Sequence, residues 1–351
     1  MSKDDLDLLP LDRLAPWLDA QDIGSGATIE RLAQLGGGSS NAVFRFHRGD
    51  ADYVLRRPPR HPRRDSNKSI VREGTLLRAL AHTDVPHPML HALCDNTDVI
   101  GVCFYVMKPI DGWSPGSPLK EPFASSPRFR REMGFALVDA LAALALVDYR
   151  SVGLEDFGRP DGFLERQVPR WRAQLESYRE ITGYQGHKLP GLDRVATWLE
   201  ANRPRDYRPG ILHGDPQLPN AMFAHDRPEL IALIDWELST LGDPMLDLGW
   251  ILASWSEPDG PRMPTTYIEP WNGFPSRAEM IDRYLARTDR TPEAVRYFCV
   301  LACYKLGIIL EGHVARAAAG IGDPSTSEIM ARLSMGLLEE ANDLIDGKIF
   351  A

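Results

Sequence analysis

Two linked segments near the middle of this 351-residue chain narrow its fold more than any other feature. The first is Leu212-His213-Gly214-Asp215-Pro216-Gln217-Leu218-Pro219-Asn220; the second, whose aspartate comes fifteen residues after Asn220, is Leu230-Ile231-Ala232-Leu233-Ile234-Asp235-Trp236-Glu237. The second reads as an apolar strand ending in acids, and Ala221-Met222-Phe223 can pair back on it through a turn at residues 224–229. An antiparallel register around that turn places Asn220 beside Asp235. Asp215, Asn220 and Asp235 would repel one another as bare groups in one cleft, but their oxygens make a good cage for a hard cation. The spacing H-x-D-x-x-x-x-N is the one in which an aspartate takes the proton of an attacking hydroxyl while the asparagine holds a metal ion.

The chain around this hairpin changes character near residue 110. Before it, Thr28–Leu35, Asn41–Phe46 and Tyr53–Arg57 are short runs rich in Val, Phe and Tyr, separated by Gly36-Gly37-Gly38-Ser39-Ser40 and by the turn-forming His47-Arg48-Gly49-Asp50. They predict a three-stranded antiparallel meander. A helix is expected at about Asn67–Ala81, with Asp65 or Ser66 as its cap, and one or two strands within Val99–Met107. After it, helical patterns cover Arg128–Val147, Pro169–Tyr178, Asp193–Ala201, Ser276–Leu285, Pro292–Glu311 and Ser327–Asp346. The expected class is α+β, with a small sheet-based lobe over residues 1–108 and a larger, mainly helical lobe over 109–351.

The glycine loop Leu35-Gly36-Gly37-Gly38-Ser39-Ser40-Asn41 lies between two strand-like runs, where glycines let backbone N–H groups approach a phosphate without a Cβ in the way. A Walker loop would join strand to helix and require Gly-Lys-Ser/Thr, which this segment lacks. On the helix that follows, Ile70, Leu77 and Leu80 mark an inward stripe, and Glu73 falls on it. A carboxylate buried without a partner costs several kcal/mol, roughly, so it needs a cation, and Arg56 in the preceding strand is the natural one.

The formal net charge of -9 disfavours a grip on nucleic-acid phosphates. Met1 to Pro10 is acidic and does not read as a secretion signal, and Phe135–Val147, taken as the most apolar stretch, is too short to span a bilayer and contains Asp139. The expectation is therefore a cytoplasmic protein with neither nucleic acid nor membrane as partner. Cys94, Cys103, Cys299 and Cys303 include no C-x-x-C pair and read as free, mostly buried thiols.

In this order, Leu35 to Asn41, Tyr53-Val54-Leu55-Arg56, Glu73, Phe104-Tyr105-Val106-Met107, His213 to Asn220, Ile234-Asp235-Trp236-Glu237, Gly242-Asp243-Pro244 and Asp247-Leu248-Gly249 resemble the aminoglycoside phosphotransferase and choline kinase-like family. Gly158-Arg159-Pro160 to Trp171, with Gly242-Asp243-Pro244, is most similar to the kinase-like domain fused to some acyl-CoA dehydrogenases. The resemblance implies a two-lobed protein kinase-like fold, ATP and Mg as cofactors, and transfer of phosphate to a hydroxyl of a small molecule, such as a hydroxyacyl thioester or another small alcohol. It implies that Asp215 is the catalytic base, that Asn220 and Asp235 bind magnesium, and that Arg56, oriented by Glu73, stands where most kinases have Lys. Gly36, Gly37, Gly38, Ser39, Ser40 and Asn41 would cover the nucleotide, the backbone near Met107 would hold adenine, and His213 would brace the catalytic loop. Asp243 and Asp247 read as structural. An aminoglycoside kinase and a nucleotide-binding pseudokinase are the alternatives.

Gln217 stands where protein kinases carry a phosphate-contacting Lys, and Ala145 where relatives often carry His. Trp250, Trp255, Tyr267, Trp271 and Phe274 suggest a partly apolar acceptor pocket, and core packing explains any one of them equally well. The basic stretch Arg56, Arg57, Arg60, Arg63, Arg64 and Lys68 reads as a solvated loop, with extra phosphates of a CoA-like substrate as the alternative.

Overall fold

The computed structural model describes residues 8–36, 41–186, 188–257, 268–321 and 324–348. Five antiparallel strands, β1 (Ile29–Leu35), β2 (Ala42–Arg48), β3 (Ala51–Arg57), β4 (Leu90–Cys94) and β5 (Phe104–Met107), form one sheet in the order β1-β2-β3-β5-β4. Side chains alternate across a strand, so Phe44, Phe46, Tyr53, Leu55, Phe104 and Val106 gather on one face beneath Leu14 and Leu18 of α1 (Leu11–Ala20). Arg56 and Tyr105 are cross-strand partners on the other face, toward α2 (Ser66–Leu80). The expected inward stripe of α2 is present: Ile70, Glu73, Leu77 and Leu80 are all buried.

The meander forms as its sequence pattern predicts, but β2 continues through His47 and Arg48, leaving Gly49-Asp50 as the turn. Arg48 reads as a turn residue yet is buried, because its guanidinium donates to Ile23 O at 2.7 Å, Ala27 O at 3.0 Å and Asp19 Oδ1 at 2.7 Å. Only Phe104–Met107 of the Val99–Met107 stretch is a strand; Gly101 N–H donates back to Thr97 O and closes a turn before it. The other strand, β4, comes earlier than expected, and α1 was not foreseen because Pro16 interrupts its pattern. Asp65 precedes α2 without a side-chain capping bond, and Ser66 Oγ accepts from Arg63 N–H instead.

The rest is mainly helical: α3 (Pro127–Ala145), α4 (Phe163–Ser177), α5 (Leu192–Ala201), α6 (Met245–Ser254), α7 (Arg277–Arg287), α8 (Glu293–Ala318) and α9 (Pro324–Ile345). Two small ladders lie among them, β6 (Gly210–Leu212) with β9 (Thr240–Gly242) and β7 (Ala221–Phe223) with β8 (Leu230–Leu233). All ten residues of α6 are buried, so it has no polar face to signal its period, and it escaped the sequence reading. Asp139 sits in apolar α3 because Arg283 of α7 donates to both its oxygens, at 2.8 and 2.7 Å. The most apolar long segment is α8, not Phe135–Val147. Its 26 residues are long and apolar enough to cross a membrane, but here it is a core helix packed against α6 and α9. The four cysteines are free and buried, as expected.

Candidate active site

Strand β6 ends at Leu212 and hands the chain to a loop whose shape is set by His213. The imidazole is wholly buried, donates through Nε2 to Ile234 O at 3.0 Å and accepts at Nδ1 from Asp215 N–H at 3.3 Å. Only a neutral ring with its proton on Nε2 makes both contacts. Burial accordingly pulls its pKa down to about 4, against the pull of the Asp215 charge. Behind the loop, buried Asp247 of α6 accepts from the backbone N–H of His213 at 2.6 Å and of Gly214 at 3.0 Å. Burial pushes that carboxyl up to about 6, the two amides opposing it. Asp243 takes Arg290 on both oxygens at 2.9 Å and the N–H of Met245, which opens α6. Asp247 thus braces the loop and Asp243 the start of α6.

Three side chains fix the Asp215 carboxylate. Gln217 Nε2 donates to Oδ1 at 2.6 Å, Trp250 Nε1 to the same oxygen at 3.1 Å, and Asn220 Nδ2 to Oδ2 at 3.0 Å. Gln217, notable in the sequence only as a missing lysine, is thus an orienting group, and Trp250 reaches the site through its indole N–H while its ring is buried. Asn220 turns its amide nitrogen toward Asp215, which directs its oxygen the opposite way.

The register of the β7–β8 hairpin differs by one from the expected one. Ala221 pairs with Leu233, Ile234 N–H donates to Asn220 O at 2.8 Å, and a bulge between Met222 and Phe223 takes up the odd residue. Asn220 therefore opposes Ile234. Asp235 follows at φ 67°, in the left-handed region, which ends the strand and turns its carboxylate out of the ladder. Arg56 meets it there, donating from Nη2 to Asp235 Oδ1 at 2.9 Å while its Nε lies 3.2 Å from Glu73 Oε2. The Arg56–Glu73 pair predicted from the helical stripe is present, and Arg56 extends it across to Asp235. Burial works against the guanidinium's charge, but Glu73 and Asp235 outweigh it and raise the pKa of Arg56. The same burial pushes Glu73 up to about 7, against the pull of Arg56 and a hydrogen bond from Tyr105.

Of the glycine loop, Gly36 is exposed and Asn41 reaches Glu237 Oε2 at 3.4 Å; Gly37, Gly38, Ser39 and Ser40 lie outside the described residues. Met107 ends β5, opposite Val54 and Leu90. Among the described residues no three His, Cys, Asp or Glu side chains group as a metal site. The oxygens of Asn220 and Asp235 remain the set suited to a hard cation, and the Asp235 side chain is 37% exposed and so open to one. Trp255, Trp271 and Phe274 are buried. They pack on one another in the core with centroids 4.4–5.6 Å apart, Trp271 stacked on Phe274 and Trp255 edge-on to both, their indole N–H groups satisfied by Pro275 O and Ser256 O. Tyr267 lies outside the described residues. Arg60, Arg63, Arg64 and Lys68 are exposed, as a solvated loop requires, whereas Arg57 is buried and donates to Pro58 O.

The sequence model of the APH family, described as "Phosphotransferase enzyme family", matches residues 31–283. The mouse protein acyl-CoA dehydrogenase family member 10 is 28% identical over 95% of this chain, and the chain spans 31% of that protein's length. A candidate aminoglycoside phosphotransferase from Ralstonia eutropha has a crystal structure that superposes with a TM-score of 0.79 at 27% identity, covering 96% of this chain and 98% of its own. Choline kinase from Cryptosporidium parvum shares the fold at 13% identity, with a TM-score of 0.62 over 96% of this chain and 97% of that one. The five-stranded sheet, the helical remainder and these likenesses identify a protein kinase-like fold, and the chain belongs to the phosphotransferase enzyme family.

Proposed function

We propose that the chain is a kinase that uses ATP and magnesium to phosphorylate a hydroxyl of a small molecule, with residues 1–108 and 109–351 as its two lobes. The observation that carries this reading is the carboxylate of Asp215, held by Gln217, Asn220 and Trp250 in one orientation, with Asp235 following Ile234, whose N–H donates to Asn220 O. In that arrangement Asp215 orients the acceptor hydroxyl and takes its proton as the new oxygen–phosphorus bond forms and the bond from the γ-phosphorus to the departing ADP oxygen breaks. Asn220 and Asp235 would hold the magnesium, which supplies charge neutralisation on the phosphate oxygens. Arg56, kept charged by Glu73, adds a cation to the same region, the strand end near Met107 would present backbone to the base, and the glycine loop from Gly36 to Asn41 would cover the phosphates. Positioning, more than covalent chemistry, supplies the rate. The small hydroxyl compounds favoured as acceptors include hydroxyacyl thioesters, a preference supported by likeness to the amino-acid sequences of acyl-CoA dehydrogenase family members.

The test is a panel of hydroxyl compounds with magnesium and ATP, read by mass spectrometry for a phosphate adduct, alongside Asp215→Ala and Asp235→Ala. Asp215→Ala is expected to bind nucleotide as the parent does and to lose transfer by a factor of about 100 or more. Asp235→Ala is expected to weaken magnesium-dependent nucleotide binding by calorimetry. Retained transfer in the first variant, or unchanged affinity in the second, removes that residue from its role.

A further inference from the structure

A cavity of about 300 Å³ opens beside the site, and Gly214 and Glu237, neighbours of Asp215 and Asp235, both line it. Three cations also face it, Arg72 of α2, Arg170 of α4 and Lys305 of α8. Among the described residues none of the three has a carboxylate within ion-pair distance. The Lys305 ammonium lies instead over the ring of Trp250, 4.4 Å from its centroid, and 5.7 Å from that of Trp171; the Arg170 guanidinium lies 5.2 Å from the Trp171 centroid. Arg72 donates to the carbonyls of Phe157 and Ser239. Aromatic faces and carbonyls hold a cation in place without cancelling its charge, so the cavity keeps a positive potential that carboxylates would have removed. The two acids on its wall, Asp247 and Glu237, do not reverse this, since the three cations outnumber them. Burial pushes the Lys305 ammonium down to about 8, with Asp247 opposing, and an entering anion would favour its charged form.

Resting on the kinase reading above, we infer that this cavity binds the phosphate acceptor, and that the acceptor carries an anionic oxygen group, a carboxylate or a phosphate, held by Lys305 and Arg170. Trp250 makes the connection to chemistry. The ring that carries Lys305 on its face donates its N–H from its edge to Asp215 Oδ1, so one indole contacts both the anchoring cation and the carboxylate that would take the acceptor's proton. Polycationic acceptors are disfavoured by the same charges. Lys305 and Arg170 thus act as specificity-determining residues.

Calorimetric titration of the full chain with matched pairs tests this: glycerol 3-phosphate against glycerol, and 3-hydroxybutyrate against its methyl ester. An ATP analogue with magnesium is titrated separately. The anionic member of each pair is expected to bind at least about tenfold more tightly than its neutral match. Lys305→Gln, and the exposed and therefore safely folded Arg170→Gln, are each expected to weaken the anions by about tenfold and leave the neutral compounds unchanged. Equal binding within the pairs, no binding of either anion, or an equal loss for both members in the variants overturns the inference. Nucleotide binding without anion preference rejects the anion site alone, whereas anion preference without nucleotide binding rejects the kinase reading and leaves the anion site standing.

Discussion

His213 is held by two contacts that require it to be neutral, one as donor to Ile234 O and one as acceptor from Asp215 N–H. Its folded pKa of about 4 lies below the ordinary 6.5, so its contribution to stability is fully present above pH 6.5 and is lost as pH falls toward 4. Between pH 7 and pH 5 that loss is on the order of 2 kcal/mol. Asp247, raised by burial to about 6, works in the opposite sense over the overlapping range, which is why the parent's pH profile alone does not isolate the histidine. Urea unfolding of the parent and of His213→Gln at both pH values does. The amide keeps a donor but does not titrate, and the variant is expected to lose less stability on acidification by about that amount; an equal slope in both proteins would refute the assignment. At this scale the sequence singles out Asp215, Asn220, Asp235, Glu73 and Arg56 by spacing or stripe, and the structure pairs Arg56 with both Glu73 and Asp235. The sequence is silent about Gln217 and Trp250 as partners of Asp215, because Trp250 lies 35 positions away and nothing local ties its indole to that loop.

At the scale of elements, α6 links the loop to the core. It carries Asp247 and Trp250, and it lies so close to α8 that a Cβ on Gly249 would stand 2.5 Å from Phe298 O. Alanine is the better helix former by about 1 kcal/mol. Yet the clash is with rigid backbone and forces the helices apart, so Gly249→Ala is expected to lose about 1–3 kcal/mol net in denaturant unfolding. Gly336 in α9 is the control, with nothing within 4 Å of an added Cβ, and Gly336→Ala is expected to gain about 0.5–1 kcal/mol. Similar effects at both sites would mean that contact with α8 does not govern α6. The amphipathic α2 and the alternating strands of the meander were legible because one face of each is wet. Fully buried α6 was not, since an element apolar on every side carries no period to read, and β4, at five residues, is too short to show one.

Across the whole molecule, two neighbouring arginine systems join the sheet side to the helical side. Arg72 of α2 donates to Phe157 O and Ser239 O, and Arg56 of β3 bridges Glu73 of α2 to Asp235. Arg56→Met leaves Glu73, 2% exposed, without its cation, and is expected to cost about 3–5 kcal/mol. Arg56→Met with Glu73→Leu removes both charges and is expected to recover most of that in urea unfolding, while nucleotide binding stays weak by calorimetry. Full nucleotide affinity in the double variant would reduce the pair to a brace. The amino-acid sequence by itself determined the three-stranded meander, α2 and the β7–β8 hairpin, and that an acid of α2 needs a cation, because hydrophobic period, burial penalty and a tight turn are local matters. Only the tertiary structure decided the one-residue bulge that sets Asn220 against Ile234, the indole that aims Asp215, and the gathering of Arg72, Arg170 and Lys305 from three helices around one cavity. Those depend on contacts between segments distant in the chain, whose distances are fixed only once the helices have packed.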